Sequence, residues 1–262
     1  MDNSRPYVRL VLVLFLALPF HALATTQRGG TAPPRAVTAC ADWMATRSSA
    51  DGAQVRRIGS STLCADIPSL SDAAVEDFVR ELALLSGDTA PDIVIRSAGG
   101  RVDLGLTMGE ALQRRRAAVY AYGFCGSSCA NYVFLAAARR GILNDTLLVF
   151  HGGLYRSMLT QAGLTEEGKA RMDAQLSRQH ALLQKAGVEP VIFERMEALN
   201  HDGRQLSDRC GDVTPIRNIV FSAKELAAFG ARVDQDFGPQ TTAEVESLTR
   251  KYGIAQGTCY WH

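Results

Sequence analysis

The chain has 262 residues, 47% of them hydrophobic and 21% charged, with a formal net charge of +1. That length supports one sizeable core, or one domain with appendages. The balanced charge leaves no excess for a nucleic-acid or acidic-lipid surface, and the cluster Arg114-Arg115-Arg116 reads as the solvated end of a helix.

Residues 1–24 read as a secretory signal. Arg5 and Arg9 make a positive start, and Leu10 to Phe20 is an apolar stretch of about eleven residues, too short to span a membrane. Ala22-Leu23-Ala24 is an A-x-A cleavage site, so the mature chain is expected to begin near Thr25. No cysteine stands at that point to carry a lipid anchor. An uncleaved signal anchor is the alternative; after cleavage no stable membrane span is expected.

The six cysteines are Cys40, Cys64, Cys125, Cys129, Cys210 and Cys259. An even number in an exported chain points to disulfides, with about fifteen full pairings open. The expected pairs are Cys40 with Cys64 and Cys210 with Cys259. Cys125 and Cys129 are either small residues packing a turn or a third disulfide stiffening it. There is no C-x-x-C pair and no zinc-like histidine spacing, so neither a metal nor a cofactor is expected.

Residues 25–54 read as a partly flexible leader, rich in Gly, Pro and Thr as far as about Arg35. The segment 55–67 reads as one or two strands. Ser71-Asp72 caps a helix through Leu85 with the apolar stripe Ala74, Val75, Phe78, Val79 and Leu82. Residues 92–96 form a short strand that Gly99-Gly100 breaks. Residues 103–115 have helical spacing, 117–122 strand character, 127–138 a buried helical run, and 146–150 a strand ending at His151. Thr165 caps a polar amphipathic helix to Lys185, an arm or association surface, and a second helix spans 189–199. Residues 200–218 are irregular, Ser222 caps a helix to Phe229, and the tail to His262 shows no motif. This alternation predicts an α/β domain over 55–235, with a mostly parallel sheet, flanking helices and a C-terminal extension over 236–262. Loops at the carboxyl ends of its strands gather at one rim. Ser97–Gly100, Gly126–Ser128 and His151 all follow predicted strands.

A serine hydroxyl is a weak nucleophile until a base takes its proton, and histidine titrates in the right range. The oxyanion then needs preorganised donors, commonly backbone N–H groups. The turn Gly123-Phe124-Cys125-Gly126-Ser127-Ser128-Cys129-Ala130 offers the serine, His151 the base, and the N–H groups of Gly100 and of the residue after the nucleophile the donors.

The ordered set Ser97-Ala98-Gly99-Gly100, Cys125-Gly126-Ser127-Ser128-Cys129-Ala130 and Phe150-His151 resembles the Clp protease proteolytic subunit. Within the ClpP/crotonase superfamily it is most similar to the exported, periplasmic ClpP-like branch, which shows a strand, S-x-G-G, a helix, C-x-S-x-C-A and a strand-end histidine. The resemblance covers about Arg56 to Val233, including Phe221-Ser222-Ala223-Lys224-Glu225-Leu226. It implies repeated β-β-α units and a serine peptidase acting through an acyl-enzyme. Ser127 then matches the nucleophile, since it precedes Cys129 by two and His151 by 24. Ser128 and Gly100 match the oxyanion donors. The family's aspartate falls in 200–218, where Asp202, Asp208 and Asp212 are candidates; Asp212 is preferred because its distance from Ser222 departs least from the family's. Ala98 stands where the family often has proline.

A non-catalytic binding or assembly protein on the same fold is the alternative function. Crotonase-type acyl-CoA chemistry lacks its acid/base here, because Glu110 sits within a predicted helix. The implied partners are a peptide or protein substrate and a homo-oligomer. No nucleic acid is expected, and no ATP-driven unfoldase, since an exported chain is not expected to meet ATP.

Overall fold

In a computed structural model of the chain, residues 31–86, 89–161, 163–201, 210, 216–254 and 257–262 are described. The apolar runs form one seven-stranded sheet. Strand β1 (Gln54–Ile58) turns back into β2 (Thr62–Asp66) as an antiparallel hairpin. From β2 onward the pairing is parallel. Strands β3 (Asp92–Ser97), β4 (Ala118–Gly126) and β5 (Arg139–Ile142) follow in order, and β6 (Leu147–Val149) pairs with the last residues of β4.

Parallel neighbours need crossovers, and helices α2 (Asp72–Ala83) and α3 (Val102–Arg115) supply them. Ser71 Oγ accepts from the Ala74 N–H at 3.3 Å, which starts α2 as its sequence predicts. Arg115, from the basic cluster, donates to the carbonyls of Leu82 and Leu85 at 2.8 and 2.9 Å. It therefore satisfies acceptors at the end of α2.

Side chains alternate across the strands. Leu63, Ala65, Ile93, Ile95, Val119 and Ala121 pack with α2 and α3. Cys64, Val94, Ala118 and Tyr120 face the other way, under helix α1 (Arg35–Ala45). With both faces covered, these strands read as near-continuous apolar runs. Helix α1 lies within the segment read from the sequence as a leader. Its Val37, Cys40 and Met44 are fully buried, and Cys40 is disulfide-bonded to Cys64 on β2. Its stripe is a single side of three turns, too short for periodicity to separate from the Gly/Pro-rich stretch before it.

The C-terminal part adds helices α4 (Glu166–Ala186), α5 (Val191–His201), α6 (Ala223–Ala228) and α7 (Thr242–Lys251). Strands β7 (Asn218–Phe221) and β9 (Thr258–Trp261) form a parallel pair, while β8 (Gln235–Asp236) joins the main sheet beside β5. Helix α4 docks its C-terminal half on α3: Arg178 pairs with Glu110 at 2.8 Å and Gln113 donates to the Leu182 carbonyl at 2.7 Å. Its N-terminal turns are exposed. No helix among the described residues is long and apolar enough to cross a membrane.

Candidate active site

The course of β4 sets the site. Its first half pairs with β5 and its last residues with β6. Between them its register against β3 shifts: Ile95 faces Ala121, but Ser97 faces Cys125. Gly123, at φ +64°, absorbs the irregularity, and its N–H donates to the buried Thr146 hydroxyl at 3.1 Å. The bulge brings the ends of β3, β4 and β6 side by side. Gly126 faces Val149, the Ser127 N–H donates to the Val149 carbonyl at 3.0 Å, and Phe150 bridges Ile219 of β7. Neighbouring strands lie about 4.8 Å apart, so the Gly99–Gly100 turn, Ser127 and His151 emerge at one rim.

Ser127 has φ +53°, a left-handed conformation that costs an L-residue about 1–2 kcal/mol. Several contacts hold it there. The Asn131 N–H donates to the Ser127 carbonyl at 2.8 Å. Cys125 and Cys129 form a disulfide across the turn, both fully buried. Gly99, at φ +86°, lies so close that an added Cβ would stand 2.5 Å from the Gly126 oxygen and 2.9 Å from Ser127 Cβ. The helical run predicted over 127–138 contracts to a π-helical segment, Cys129–Phe134, in which the Leu135 N–H reaches the Ala130 carbonyl at 3.3 Å. Such wide turns recur at functional sites.

The two serines differ in their surroundings. Ser128 is buried, and its Oγ donates to the Gly100 carbonyl at 2.7 Å. Ser127 is half-buried, and its Oγ bonds no group among the described residues. Across the turn, the N–H groups of Ala98 and Gly99 are taken up by the Pro68 carbonyl and Ser97 Oγ. The Gly100 N–H donates to no acceptor among the described residues.

His151 is exposed on its outer side, yet protein packed around its inner side holds its pKa below the ordinary histidine value by desolvation. No carboxylate among the described residues bonds its ring, nor does Ser127 Oγ; catalytic hydrogen bonds are often loose before substrate binds. Asp202, Asp208 and Asp212 lie outside the described residues. The loop carrying His151 is held through its main chain. Asn131 Nδ2 donates to the His151 carbonyl at 2.9 Å. Three residues on, Gln179 of α4 accepts from the Leu154 N–H at 3.2 Å and donates to the Leu154 carbonyl at 3.0 Å. The Tyr132 hydroxyl donates to the same Gln179 oxygen at 2.8 Å. Asn131 and Gln179 are both buried, and Asn131 Oδ1 accepts from no donor among the described residues, an omission worth about 1–3 kcal/mol.

A cavity of about 600 Å³ opens beside this loop, lined by Leu154, Tyr155, His180 and Phe193 among others. A slightly larger one, about 660 Å³, lies on the α1 side against Arg96, Tyr122 and Tyr252. Neither is lined by Ser127 or His151, so size does not mark the chemistry. Among the described residues no His, Cys, Asp or Glu cluster is arranged to hold a metal ion.

Sequence reasoning missed Asn131 and Gln179. Asn131 left one signal, a lone amide inside the apolar run Cys129–Ala138; Gln179 left none, because its helix is polar on most sides.

No family model and no curated protein matches the chain. Among solved structures it is similar to a ClpP1 mutant from Listeria monocytogenes, with a TM-score of 0.39 and 20% identity, over 69% of this chain and 92% of that one. At that score the likeness adds nothing to what the site's own geometry supports.

Proposed function

We propose that the chain is an exported serine-type hydrolase of peptide bonds. Ser127 is the nucleophile, His151 the base, and the N–H groups of Gly100 and Ser128 the oxyanion donors. The observation that carries this reading is the left-handed Ser127 at the end of β4, braced beside the Gly99–Gly100 turn and beside β6, which ends two residues before His151. The bond from Ser128 Oγ to Gly100 O supports the division of labour, since it leaves Ser127 as the serine whose hydroxyl bonds no group among the described residues.

In this reading His151 takes the Ser127 Oγ proton as Oγ bonds to the substrate carbonyl carbon. The oxyanion is met by the two N–H groups. His151 then protonates the amine as the C–N bond breaks, leaving the acyl-enzyme; a water deprotonated by His151 bonds to the acyl carbon, and His151 returns the proton to Ser127 Oγ as the ester bond breaks and the acid product leaves. We assign the acid behind His151 to Asp212. In support, Cys210, two residues away, is disulfide-bonded to Cys259; Cys259 faces Ile219, which bridges Phe150, next to His151. Two residues of chain span about 7 Å. The signal segment and the three disulfides support export to an oxidising compartment, the periplasm by the motif resemblance. The same motifs support ClpP/crotonase-like units over 55–235, and the exposed turns of α4 offer a surface for self-association.

The test is Ser127→Ala in the mature chain. Fluorophosphonate labelling and peptide hydrolysis should vanish, a loss of about 10⁴-fold or more, with folding unchanged. Labelling that persists in the variant overturns the assignment. The His151 ring, which bonds no group among the described residues, favours a second reading, a binding protein on this scaffold. It expects no labelling of the native chain at all.

A further inference from the structure

We propose that Asn131 is a positioning residue that holds the His151 main chain against the serine turn. The proposal deepens the Ser127–His151 reading and rests on it. Asn131 is 1% exposed, and it spans the two halves of the site. Its N–H donates to the Ser127 carbonyl at 2.8 Å, and its side-chain Nδ2 donates to the His151 carbonyl at 2.9 Å. One residue therefore fixes the spacing between the chain that carries the nucleophile and the chain that carries the base.

The surroundings argue that packing alone does not account for an amide here. Cys129, Ala130, Tyr132, Val133, Phe134 and Leu135 are all fully buried. A leucine or methionine at 131 would fill such a core and bring no polar atoms into it. Asn131 brings two, and its Oδ1 is buried with no donor among the described residues. An unmet acceptor disfavours the fold, and such local violations gather at functional sites. What the amide supplies, and an apolar side chain cannot, is the Nδ2 donor to His151. That carbonyl is followed by Gly152 and Gly153, both at positive φ, so the loop beyond it has little stiffness of its own. A displacement of the base by about 1 Å costs roughly 100-fold in rate. Because Asn131 touches the His151 main chain rather than its ring, it acts through His151.

Two variants of the mature chain separate this role from packing. Asn131→Ala should fall about 10- to 100-fold in fluorophosphonate labelling rate at every pH, and backbone amide exchange at residues 152–154 should rise. Asn131→Asp is nearly isosteric. Its carboxyl can donate to the His151 carbonyl only while protonated, so its rate relative to the native chain should fall as pH rises. A merely structural role gives no such opposed pH profile. If the native chain labels and Asn131→Ala labels equally fast, the proposal is overturned and the serine assignment stands. Unchanged exchange at 152–154 in Asn131→Ala overturns it whatever the labelling. A native chain that never labels overturns the hydrolase reading and the positioning role together, whereas exchange that rises along with a slowed rate supports both. A variant that does not fold is recognised by circular dichroism; the other of the two then decides, Asn131→Ala by its rate and exchange and Asn131→Asp by its pH profile.

Discussion

The turn carrying Ser127 is clamped by a disulfide, by the close approach of Gly99 and by bonds to Val149 and Asn131, whereas among the described residues only the main chain of His151 is held and its ring stands exposed. In the proposed mechanism the contrast follows from what each group must do. A nucleophile in a left-handed conformation is disfavoured locally and persists only where its surroundings over-determine it. A base must turn between the serine, the leaving group and water. In the proposed mechanism its tautomer and orientation are set from behind, by Asp212 on another segment. On this view, changes on the turn side alter the rate without moving the pH at which the base titrates. Changes behind the histidine move that pH.

The largest effect that tests this contrast is expected from Asp212→Asn. A missing acid behind a catalytic histidine lowers rate by about 10⁴-fold in a fully formed triad, and by less where the acid is distant. The sign of the pH effect is specific. The described surroundings of His151 act only by desolvation, which lowers its pKa from the ordinary 6.5. A carboxylate raises it. The acid limb of kcat/KM should therefore lie below about 6.5 in Asp212→Asn, and at higher pH in the native chain. In the variant the folded pKa is below the unfolded one, so the unfolded chain binds protons first. Stability from this group is then present above about 6.5 and is lost as pH falls through the folded value. Identical acid limbs in the two proteins would remove Asp212 from the site and return the choice to Asp202 and Asp208.

On the turn side, Gly99→Ala should lower the labelling rate by about 100-fold. A Cβ there would meet the Gly126 oxygen at 2.5 Å and the Ser128 nitrogen at 2.8 Å, both main-chain atoms that cannot swing away, at a φ of +86°. The strain adds about 1–3 kcal/mol of destabilisation, read as a lower melting temperature. The acid limb should stay where the native chain has it. A shifted limb would mean that the turn and the histidine are not separable.

The two sides were also unequally legible in the sequence. The Ser97–Gly100 and Gly126–Ser128 turns stand out because glycine and small residues punctuate apolar runs, and strand ends follow from them. The strands predicted at 92–96 and 117–122 are observed as Asp92–Ser97 and Ala118–Gly126. Helix α1 and strand β9 were not legible, since each is a short element whose burial comes from partners far along the chain, whereas α7 was missed although Thr241 and Glu244 form a capping box that the sequence carries. The bulge in β4 was hidden for a related reason: it is a register shift against β3, and register is a property of pairs. Asn131 and Gln179 hold the His151 loop through its main-chain atoms, and a side chain's bond to a distant carbonyl leaves no periodic trace.

The smallest effects, and the finest separation of the two sides, come from the disulfides. Cys125 and Cys129 are four apart, Cys210 and Cys259 are 49 apart. Loop-closure entropy makes the first worth about 2 kcal/mol and the second about 4 kcal/mol. Replacing Cys210 and Cys259 together by alanine should therefore lower the melting temperature more than replacing Cys125 and Cys129. The kinetic consequences should differ in kind. Without Cys125–Cys129 the turn loses one brace of several, so labelling should slow by only about 3- to 10-fold, with the acid limb unmoved. Without Cys210–Cys259 the segment bearing Asp212 loses its tie to β9, so the acid limb should move toward that of Asp212→Asn. The pH–rate profiles of both double variants, taken well below their melting temperatures, decide the matter. If the short disulfide moved the limb and the long one did not, the serine turn and not the distant segment would be what tunes His151.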